Sequence, residues 1–458
     1  MKISDTFVLL GLCAALCSCA ALGKYKHETE VSQTLYGDAE LSDTSANIAN
    51  FRWQDVFTDE ILRDYIDTAI AHNHDYRAAQ EHILQAQAQL LGAKLAYIPS
   101  IGLTPGFTAN FSGTDGFGNV TYDYNVNASA SWQLDIFSKT NNLRMAKATA
   151  AQAEDYRQAV LSSLIAAVAN NYYTLLMLDA QREAAMVMIH NWEESVETIK
   201  VLKACGAADQ VAVSQYEANA DDIYIKFQML EQQITVVENA MCVLLGKEVK
   251  HGLKRNSLMD QHFDIGVNVG IPVQMLTLRP DVRAAERNME IAFYSTKGAL
   301  LNFFPKLTLT GAIGMVNPAT GALTPITMLG SVGAGLVAPI LSSGKNKAAY
   351  RAAQSRQREA RLDFDQTLLT AGKEVNDALS EFNTRVRMSQ TYKTRVESLQ
   401  KAYEDTEYLM RNSFDKTYLD VLYANTSYFT AKMSAIENHA LMLQAGVNLY
   451  SALGGGAI

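Results

Sequence analysis

The chain has 458 residues, of which 19% are charged and 48% are hydrophobic, and its formal net charge is −9. A protein that neutralises a nucleic-acid backbone concentrates Lys and Arg in a stripe or patch, and this acidic sequence shows no such stripe. We therefore do not expect nucleic acid as a partner.

The first residues predict an export signal that is removed. An apolar run covers residues 7–16, well short of the roughly 20 residues that cross a bilayer. The string LCSC at 16–19 resembles a bacterial lipobox. This resemblance implies cleavage before Cys19, acylation of Cys19 and, because Ala20 follows where an Asp would favour inner-membrane retention, an outer-membrane location. The alternative is ordinary cleavage near Ala21 without a lipid.

A stretch of thirty residues occurs twice. Asp75–Thr104 aligns without a gap to Asp281–Thr310, and eleven of the thirty positions are identical, among them a Gly, a Pro and the starting pattern Asp-x-Arg-Ala-Ala. The predicted order of elements recurs as well: a helix, a strand, a loop, a strand, a very long helix, a break and a return helix. The sequence therefore indicates a tandem duplication with a period of about 206 residues.

The predicted organisation follows this duplication. The predicted segments are a lipoprotein signal peptide (1–18), an N-terminal lipid-anchored segment (19–58), a first repeat (59–250) with a β-hairpin at 99–137 and a helical hairpin at 140–246, a linker (251–272), a second repeat (273–453) with a β-hairpin at 305–341 and a helical hairpin at 345–453, and a tail (454–458).

Four segments alternate between apolar and small polar residues, which predicts two-faced strands. They are 99–112, 125–136, 306–315 and 332–340, joined in pairs by turn-rich loops. The small polar face suits a water-filled lumen and the apolar face suits lipid. A strand of about 12 residues spans roughly 40 Å, or about 28 Å when tilted by 45°, close to one hydrocarbon thickness. The alternative is a soluble sheet packed on helices.

A sheet inside a bilayer cannot keep free edges, because unpaired backbone groups in hydrocarbon cost several kcal/mol each. Four strands are too few to close, since the smallest membrane barrels have about eight. The chain is therefore expected to pool strands with copies of itself. Two copies give eight strands and three give twelve, and closure alone does not choose between them.

Two long runs without Pro and almost without Gly predict very long helices, from about Asn141 to Cys205 and from Lys345 to Asn412. At 1.5 Å per residue each is roughly 100 Å long. Breaks at 205–210 and 412–420 precede return helices, so each run predicts an antiparallel helical hairpin. The second run carries apolar residues at coiled-coil spacing, namely Val375, Leu379, Phe382, Val386, Tyr392, Val396, Leu399 and Tyr403.

Cys205 and Cys242 lie at opposite ends of one predicted return helix. The helix rise places them about 50 Å apart, whereas a disulfide requires Cα atoms within about 7 Å. We expect no disulfide between them, and we expect both to be buried or incidental thiols.

Four motifs together resemble the TolC family of outer-membrane efflux channels, in its RND-type lipoprotein branch. They are Leu278–Gly314, Gly335–Gln354, Thr417–Lys432 and Leu449–Gly456. The resemblance implies a mainly α-helical fold with membrane β-strands, in which a homotrimer forms a twelve-stranded barrel continuous with a periplasmic helical barrel. It also implies a passive conduit that receives substrates from an inner-membrane RND or ABC transporter through a periplasmic adaptor, without enzymatic activity.

The resemblance also implies residues at the periplasmic entrance. Asp420 corresponds to a carboxylate that lines the constriction, and Lys416 and Arg411 lie where gating contacts are common. Three carboxylates around one axis attract cations and repel one another. The alternative for Asp420 is a helix cap. Relatives often carry a second Asp where this chain has Tyr423, and Phe414 replaces a usual Gly, which weakens the anionic ring and the match.

Other patterns predict no chemistry. The GAGLVA string at 333–338 lies inside an alternating strand and opens no helix, so it does not indicate a nucleotide site. His72, His74 and His190 lack companions at metal-ligand spacing, and no nucleophilic triad stands out. We therefore expect no catalytic residue, cofactor or metal. A passive efflux conduit for small molecules, such as drugs and toxic compounds, is the predicted function. Type I protein secretion and, in a different class, a structural coiled-coil scaffold are the alternatives.

Overall fold

The computed structural model describes residues 23–26, 52–112, 119–262, 279–317, 327–339, 343–412 and 416–456. The predicted signal peptide, Cys19, Phe414, most of both strand-connecting loops and part of the predicted linker lie outside these ranges. The described residues form a mainly helical protein with one four-stranded sheet.

The regular elements recur in the same order in the two halves of the chain. In chain order they are α1 (Trp53–Val56), α2 (Glu60–His72), α3 (His74–Leu95), β1 (Ser100–Ser112), β2 (Asn119–Gln133), α4 (Ile136–Ala204), α5 (Gln210–Leu244), a short 3₁₀ helix (Leu258–Asp260), α6 (Pro280–Leu301), β3 (Lys306–Asn317), β4 (Thr327–Val337), α7 (Lys345–Asn412) and α8 (Tyr418–Ala452).

Corresponding helices have nearly the same length. Helices α3 and α6 each have 22 residues, α5 and α8 each have 35, and the long helices α4 and α7 have 69 and 68. The two predicted long helices are confirmed, and a return helix follows each of them. By length and composition α4 could cross a membrane, but half of its most apolar window is buried inside the protein, as in a core helix.

Several boundaries differ from the sequence pattern. The alternation placed Ile136 in a strand, yet α4 begins there, because the Asp135 side chain accepts the Ser138 amide at 3.0 Å and caps the helix. Strands β2 and β4 begin earlier than predicted, at Asn119 and Thr327. Helix α8 begins at Tyr418 rather than Val421 because the preceding residue caps it.

The strands pair antiparallel in the order β1-β2-β3-β4. Leu103 is opposite Ala128, Ala128 is opposite Ile313, and Ile313 is opposite Gly330, so the predicted apolar positions fall on one face. Large side chains of this face are exposed, with Ile101 at 81% and Val332 at 95%. The sheet therefore does not bury its apolar face against helices, which contradicts the soluble-sheet alternative.

The described chain divides into two compact units, and each takes segments from both sequence halves. One unit holds the sheet and the adjoining helix segments, 82–154 and 284–365. Within it, the buried Asn141 side-chain amide donates to the Tyr294 carbonyl at 2.8 Å. A buried polar side chain is satisfied in this way at the start of α4.

The other unit holds the rest of the helical hairpins, including 155–283 and 366–458. Its largest fully buried side chains include Trp192, Tyr172 and Tyr450. Cys205 is exposed and Cys242 is buried, and both are free thiols. The two cysteines form no disulfide with each other, and Cys205 lies in the exposed break after α4, in keeping with an incidental thiol.

Segment 250–257 is an irregular strap in this second unit, held by the buried carboxylate of Glu238 and by the partly buried Arg255 and Asp179. Arg255 donates to Glu238 at 2.6 Å and is also hydrogen-bonded to Asp179. The amides of Gly252 and Leu253 donate to Glu238 as well, each at 3.2 Å. Burial alone raises the pKa of Glu238, but these hydrogen bonds and the Arg255 charge outweigh it and hold that pKa below its ordinary value.

Candidate functional site at the hairpin ends

The first helical hairpin turns through a glycine. After α4 the backbone at Gly206 has φ of +76°, the left-handed region in which glycine carries no Cβ penalty. The amide of Ala207 donates to the Leu202 carbonyl at 2.9 Å, as in a Schellman helix end. Asp209 then caps α5 by accepting the Ala212 amide at 2.8 Å.

In the second hairpin the return helix α8 begins with a capping box, whereas α5 begins with a single side-chain cap. The Asp420 carboxylate accepts the Thr417 amide and the Thr417 hydroxyl, each at 2.8 Å, and the Thr417 hydroxyl accepts the Asp420 amide at 3.4 Å. These two groups satisfy backbone donors at the start of α8 reciprocally. The pattern Thr-x-x-Asp was present in the sequence and could have predicted this cap in full.

Asp420 remains exposed and negatively charged while it caps the helix. The hydrogen bonds from the Thr417 backbone and side chain, together with the charge of Lys416, hold the pKa of Asp420 below its ordinary value. Lys416 is exposed as well. The capping alternative is therefore observed, and it leaves the second carboxylate oxygen and the charge available to the solvent at this end of the hairpin.

Arg411 forms its ion pair within its own helix. It lies in the last turn of α7 and forms an ion pair with Glu407, one turn earlier, at 2.6 Å. Glu407 also acts on Tyr403, because burial together with this carboxylate raises the pKa of Tyr403 to about 12. The structure thus brings together Lys416 and Asp420 but ties Arg411 to its own helix.

Aromatic residues connect the two hairpins near their ends. The Tyr216 hydroxyl of α5 donates to the Tyr418 carbonyl of α8 at 3.0 Å. The Tyr216 ring packs edge-on against Trp192, with centroids 5.4 Å apart. Burial is the main reason that the pKa of Tyr216 rises to about 12, so its hydroxyl is a donor at every physiological pH. Sequence reasoning missed this contact because the partners are 202 residues apart.

The sheet supplies the second functional surface. Small polar residues occupy the face opposite the apolar one, with Asn125 opposite Gly106 and Asn127 opposite Gly314. A Cβ at either glycine would force the facing asparagine side chain to shift, so glycine lets that side chain lie close over the backbone at both positions. The result is a polar, hydrogen-bonding face of the kind that borders water inside a barrel.

Comparison with known proteins finds relatives that are components of efflux systems. The chain is 27% identical over 435 residues to the toluene efflux pump outer membrane protein TtgC of Pseudomonas putida, covering 92% of this chain and 88% of the relative. It is 26% identical to the cation efflux system protein CusC of Escherichia coli over 429 residues, covering 91% and 90% of the two chains.

Solved structures share the fold. The open-state MtrE outer membrane channel of Neisseria gonorrhoeae superimposes with a TM-score of 0.83 at 24% identity, covering 95% of this chain and 98% of that one. The CmeC outer membrane channel of Campylobacter jejuni gives a TM-score of 0.84 at 20% identity, covering 95% and 94%.

The long paired helices and the exposed two-faced sheet define a channel protein of the outer membrane. The family model for outer membrane efflux proteins matches residues 65–247 and 271–455, and the chain belongs to that family. The predicted resemblance is confirmed, and the family is one of transport components. The protein acts in efflux at the outer membrane, which excludes the purely structural scaffold as its function.

Proposed function

We propose that three copies of this chain form a passive outer-membrane conduit in a tripartite efflux system. One observation carries the proposal: the sheet has four strands, exposes its apolar face, and ends in two strands, β1 and β4, that each have one neighbour within the chain. Backbone groups in hydrocarbon must be paired. Pairing β1 of one copy with β4 of the next satisfies them and yields twelve strands from three copies.

The helical hairpins supply the periplasmic part of the conduit. A helix of 69 residues such as α4 is about 100 Å long at 1.5 Å per residue. The exposed apolar side chains of the helices, such as Val386 at 44% and Leu369 at 63%, are surfaces that neighbouring copies can cover. Three copies contribute twelve helical segments around one axis.

The proposed partners follow from this arrangement. The chain has no nucleotide-binding motif, so an inner-membrane RND or ABC transporter supplies the energy and a periplasmic adaptor joins it to the hairpin ends. Relatives are named for the efflux of toluene, of cations and, at 26% identity, for pyoverdine export in Pseudomonas aeruginosa. These names favour small molecules as cargo over proteins secreted by a type I system.

At the periplasmic end, Asp420 is proposed to line the constriction while it caps α8. Its exposure and its lowered pKa both support a permanent negative charge there. Three such charges around one axis repel one another, which partly raises the pKa again in the assembled channel. Lys416 and Arg411 are proposed as contacts that change when the entrance opens, and the Glu407 pair holds Arg411 in the resting chain.

Cys19 is proposed to carry the lipid that anchors the mature chain to the outer membrane. The string LCSC at 16–19 supports this proposal, and one relative, SilC of Salmonella typhimurium, is named a probable outer membrane lipoprotein. Labelling cells with a radioactive fatty acid tests it. Wild-type protein incorporates the label and the Cys19→Ala variant does not; equal labelling of both would contradict the assignment.

Conductance tests the conduit itself. Purified full-length protein added to a planar lipid bilayer is expected to give discrete, ohmic single-channel steps without any energy source. Protein that inserts into the bilayer but never conducts would contradict the proposed function.

A further inference from the structure

An aromatic and basic cluster lies where the sheet meets the helices. The indole Nε1–H of Trp132, at the end of β2, donates to the Tyr97 carbonyl at 3.0 Å. The Lys139 ammonium lies 6.0 Å from the centroid of the Tyr97 ring, and the Tyr97 hydroxyl is 3.0 Å from Thr140 Oγ1. Trp132 and Val126 lie on the same exposed apolar face of β2, so the cluster continues that face.

The second repeat builds a similar cluster. Phe303 follows Tyr97 by the repeat period of 206 residues, and its ring packs edge-on against Tyr350, with centroids 6.4 Å apart. Phe303 is 44% exposed. Lys345 and Lys347 are exposed in the first turn of α7, and Lys347 precedes Tyr350 by three residues on that helix. Aromatic rings and lysines therefore occur at the helix-bearing ends of both strand pairs.

Positive charge is concentrated where the strands join the helices. The four segments that flank the helix-bearing strand ends, 91–99, 134–147, 295–306 and 343–351, contain nine Lys or Arg and one acidic residue, in a chain of net charge −9. One of the nine, Lys306, is 3.8 Å from that acid, Asp135. Packing of helices and strands alone does not require this excess of positive charge.

We propose that these segments form an interfacial belt that binds anionic phospholipid headgroups in the periplasmic leaflet, with Tyr97, Trp132, Lys139, Phe303 and Lys347 as its residues. The inference rests on the proposed function, because it requires the strands to lie in the membrane with the helices on the periplasmic side. Trp and Tyr concentrate at membrane interfaces, and Lys and Arg beside them are attracted to anionic lipid.

The belt is expected to select headgroup charge, not acyl chains. The rings fix depth at the interface, while Lys139, held over the Tyr97 ring by a cation–π contact, presents an ammonium to a phosphodiester. Three copies would repeat the belt around the barrel. Phosphatidylglycerol fits this surface, and phosphatidylcholine, which has no net charge, does not.

Native mass spectrometry of the full-length complex, extracted from vesicles of equal phosphatidylglycerol and phosphatidylcholine, tests the proposal. Wild-type complexes are expected to retain phosphatidylglycerol at least threefold over phosphatidylcholine. The Lys139→Gln/Lys347→Gln variant is expected to lose that preference. The control Lys226→Gln/Lys373→Gln removes the same charge from exposed helix positions outside the belt and is expected to keep it.

The outcomes separate the possibilities. Equal retention of the two lipids by wild type, or an unchanged preference in Lys139→Gln/Lys347→Gln, overturns the belt. Release of phosphatidylglycerol by 20 mM inorganic phosphate would also overturn it, because the surface would then be a general anion site. Protein that retains phosphatidylglycerol selectively but does not conduct in bilayers leaves the belt standing and removes the conduit, so the two failures are distinguishable.

Discussion

The two helical hairpins have almost the same length but are held very differently within one chain. In the first, Trp192, Val196 and Ile199 near the end of α4 are buried, at 1%, 8% and 2% exposure. In the second, no residue of α7 from 379 to 412 is fully buried. The predicted coiled-coil seam there is mostly half-buried. Within one chain, the end of the first hairpin is therefore packed more deeply than the end of the second.

The return helix α8 belongs energetically with the first hairpin. Phe429 is buried in the same hydrophobic cluster as Trp192 and Tyr216. By contrast, the C-terminal part of α7 contacts α8 through half-buried rings. Tyr403, for example, stacks on Tyr428 with ring centroids 6.2 Å apart. Regions with fewer buried apolar contacts open at lower free-energy cost. If the hairpin ends move on opening, α7 is the helix expected to move most.

Truncating one aromatic ring in each hairpin gives the largest expected contrast. Trp192→Ala removes a buried ring and is expected to lower the free energy of unfolding by about 3–5 kcal/mol. Tyr403→Ala removes a half-buried ring and is expected to cost about 1 kcal/mol. Denaturant titration in detergent, followed by circular dichroism, measures both. Equal losses would show that the hairpins are held equally.

The strap offers a contrast in buried charge. Glu238 is 4% exposed beside Arg255, whereas Glu374 is 47% exposed beside Arg279. Glu238→Gln leaves Arg255 with a weaker acceptor in a buried site and is expected to cost about 3 kcal/mol at pH 7. Glu374→Gln, which is solvent-screened, is expected to cost well under 1 kcal/mol.

The ion pair between Glu238 and Arg255 predicts that the stability of the protein depends on pH. Because the folded pKa of Glu238 is lowered, its ionised form stabilises the protein above its unfolded pKa, and this stability is lost as pH falls through the folded pKa. Glu238→Gln should therefore flatten the loss of stability between about pH 5 and pH 3. Thermal midpoints across that range measure it; an unchanged slope in the variant would contradict the strap assignment.

The two caps differ in their proposed exposure to the channel axis. Asp209 is the N-cap of α5 and Asp420 is the third residue of the α8 capping box, but only Asp420 is proposed to line the entrance. Asp420→Asn is expected to remove most of the cation preference in bilayer reversal-potential measurements, with folding retained because the Asn amide oxygen can still accept the Thr417 amide and Thr417 still caps the helix. Asp209→Asn is the matched control and should leave selectivity unchanged. The same selectivity in both variants would remove Asp420 from the entrance.

The smallest expected effect concerns the contact between hairpins. Tyr216→Phe removes the hydrogen bond to the Tyr418 carbonyl and is expected to cost about 1 kcal/mol. If this bond favours the closed entrance, the open probability should rise by about fivefold. Tyr224→Phe on the same helix, where the side chain is 53% exposed, is the control. No change in open probability for Tyr216→Phe would assign that bond to stability alone.

Local pattern was sufficient for most of the fold. Alternation placed the strands and the lack of Pro and Gly placed the long helices, because both signals depend only on neighbouring residues. The strap could not be predicted, since segment 250–257 has no periodicity and its partners Asp179 and Glu238 are distant in sequence. The predicted start of α8 is three residues too late, because Thr417, which caps the helix, lies within the predicted break.

The central claim is that one chain cannot close its four-stranded sheet into a barrel and must assemble with other copies. The mass of the detergent-solubilised complex tests this claim most directly. Native mass spectrometry is expected to show three copies, and the same preparation is expected to conduct in a planar bilayer. A single 50.3 kDa chain, or its mature form, that forms no pore would contradict the account.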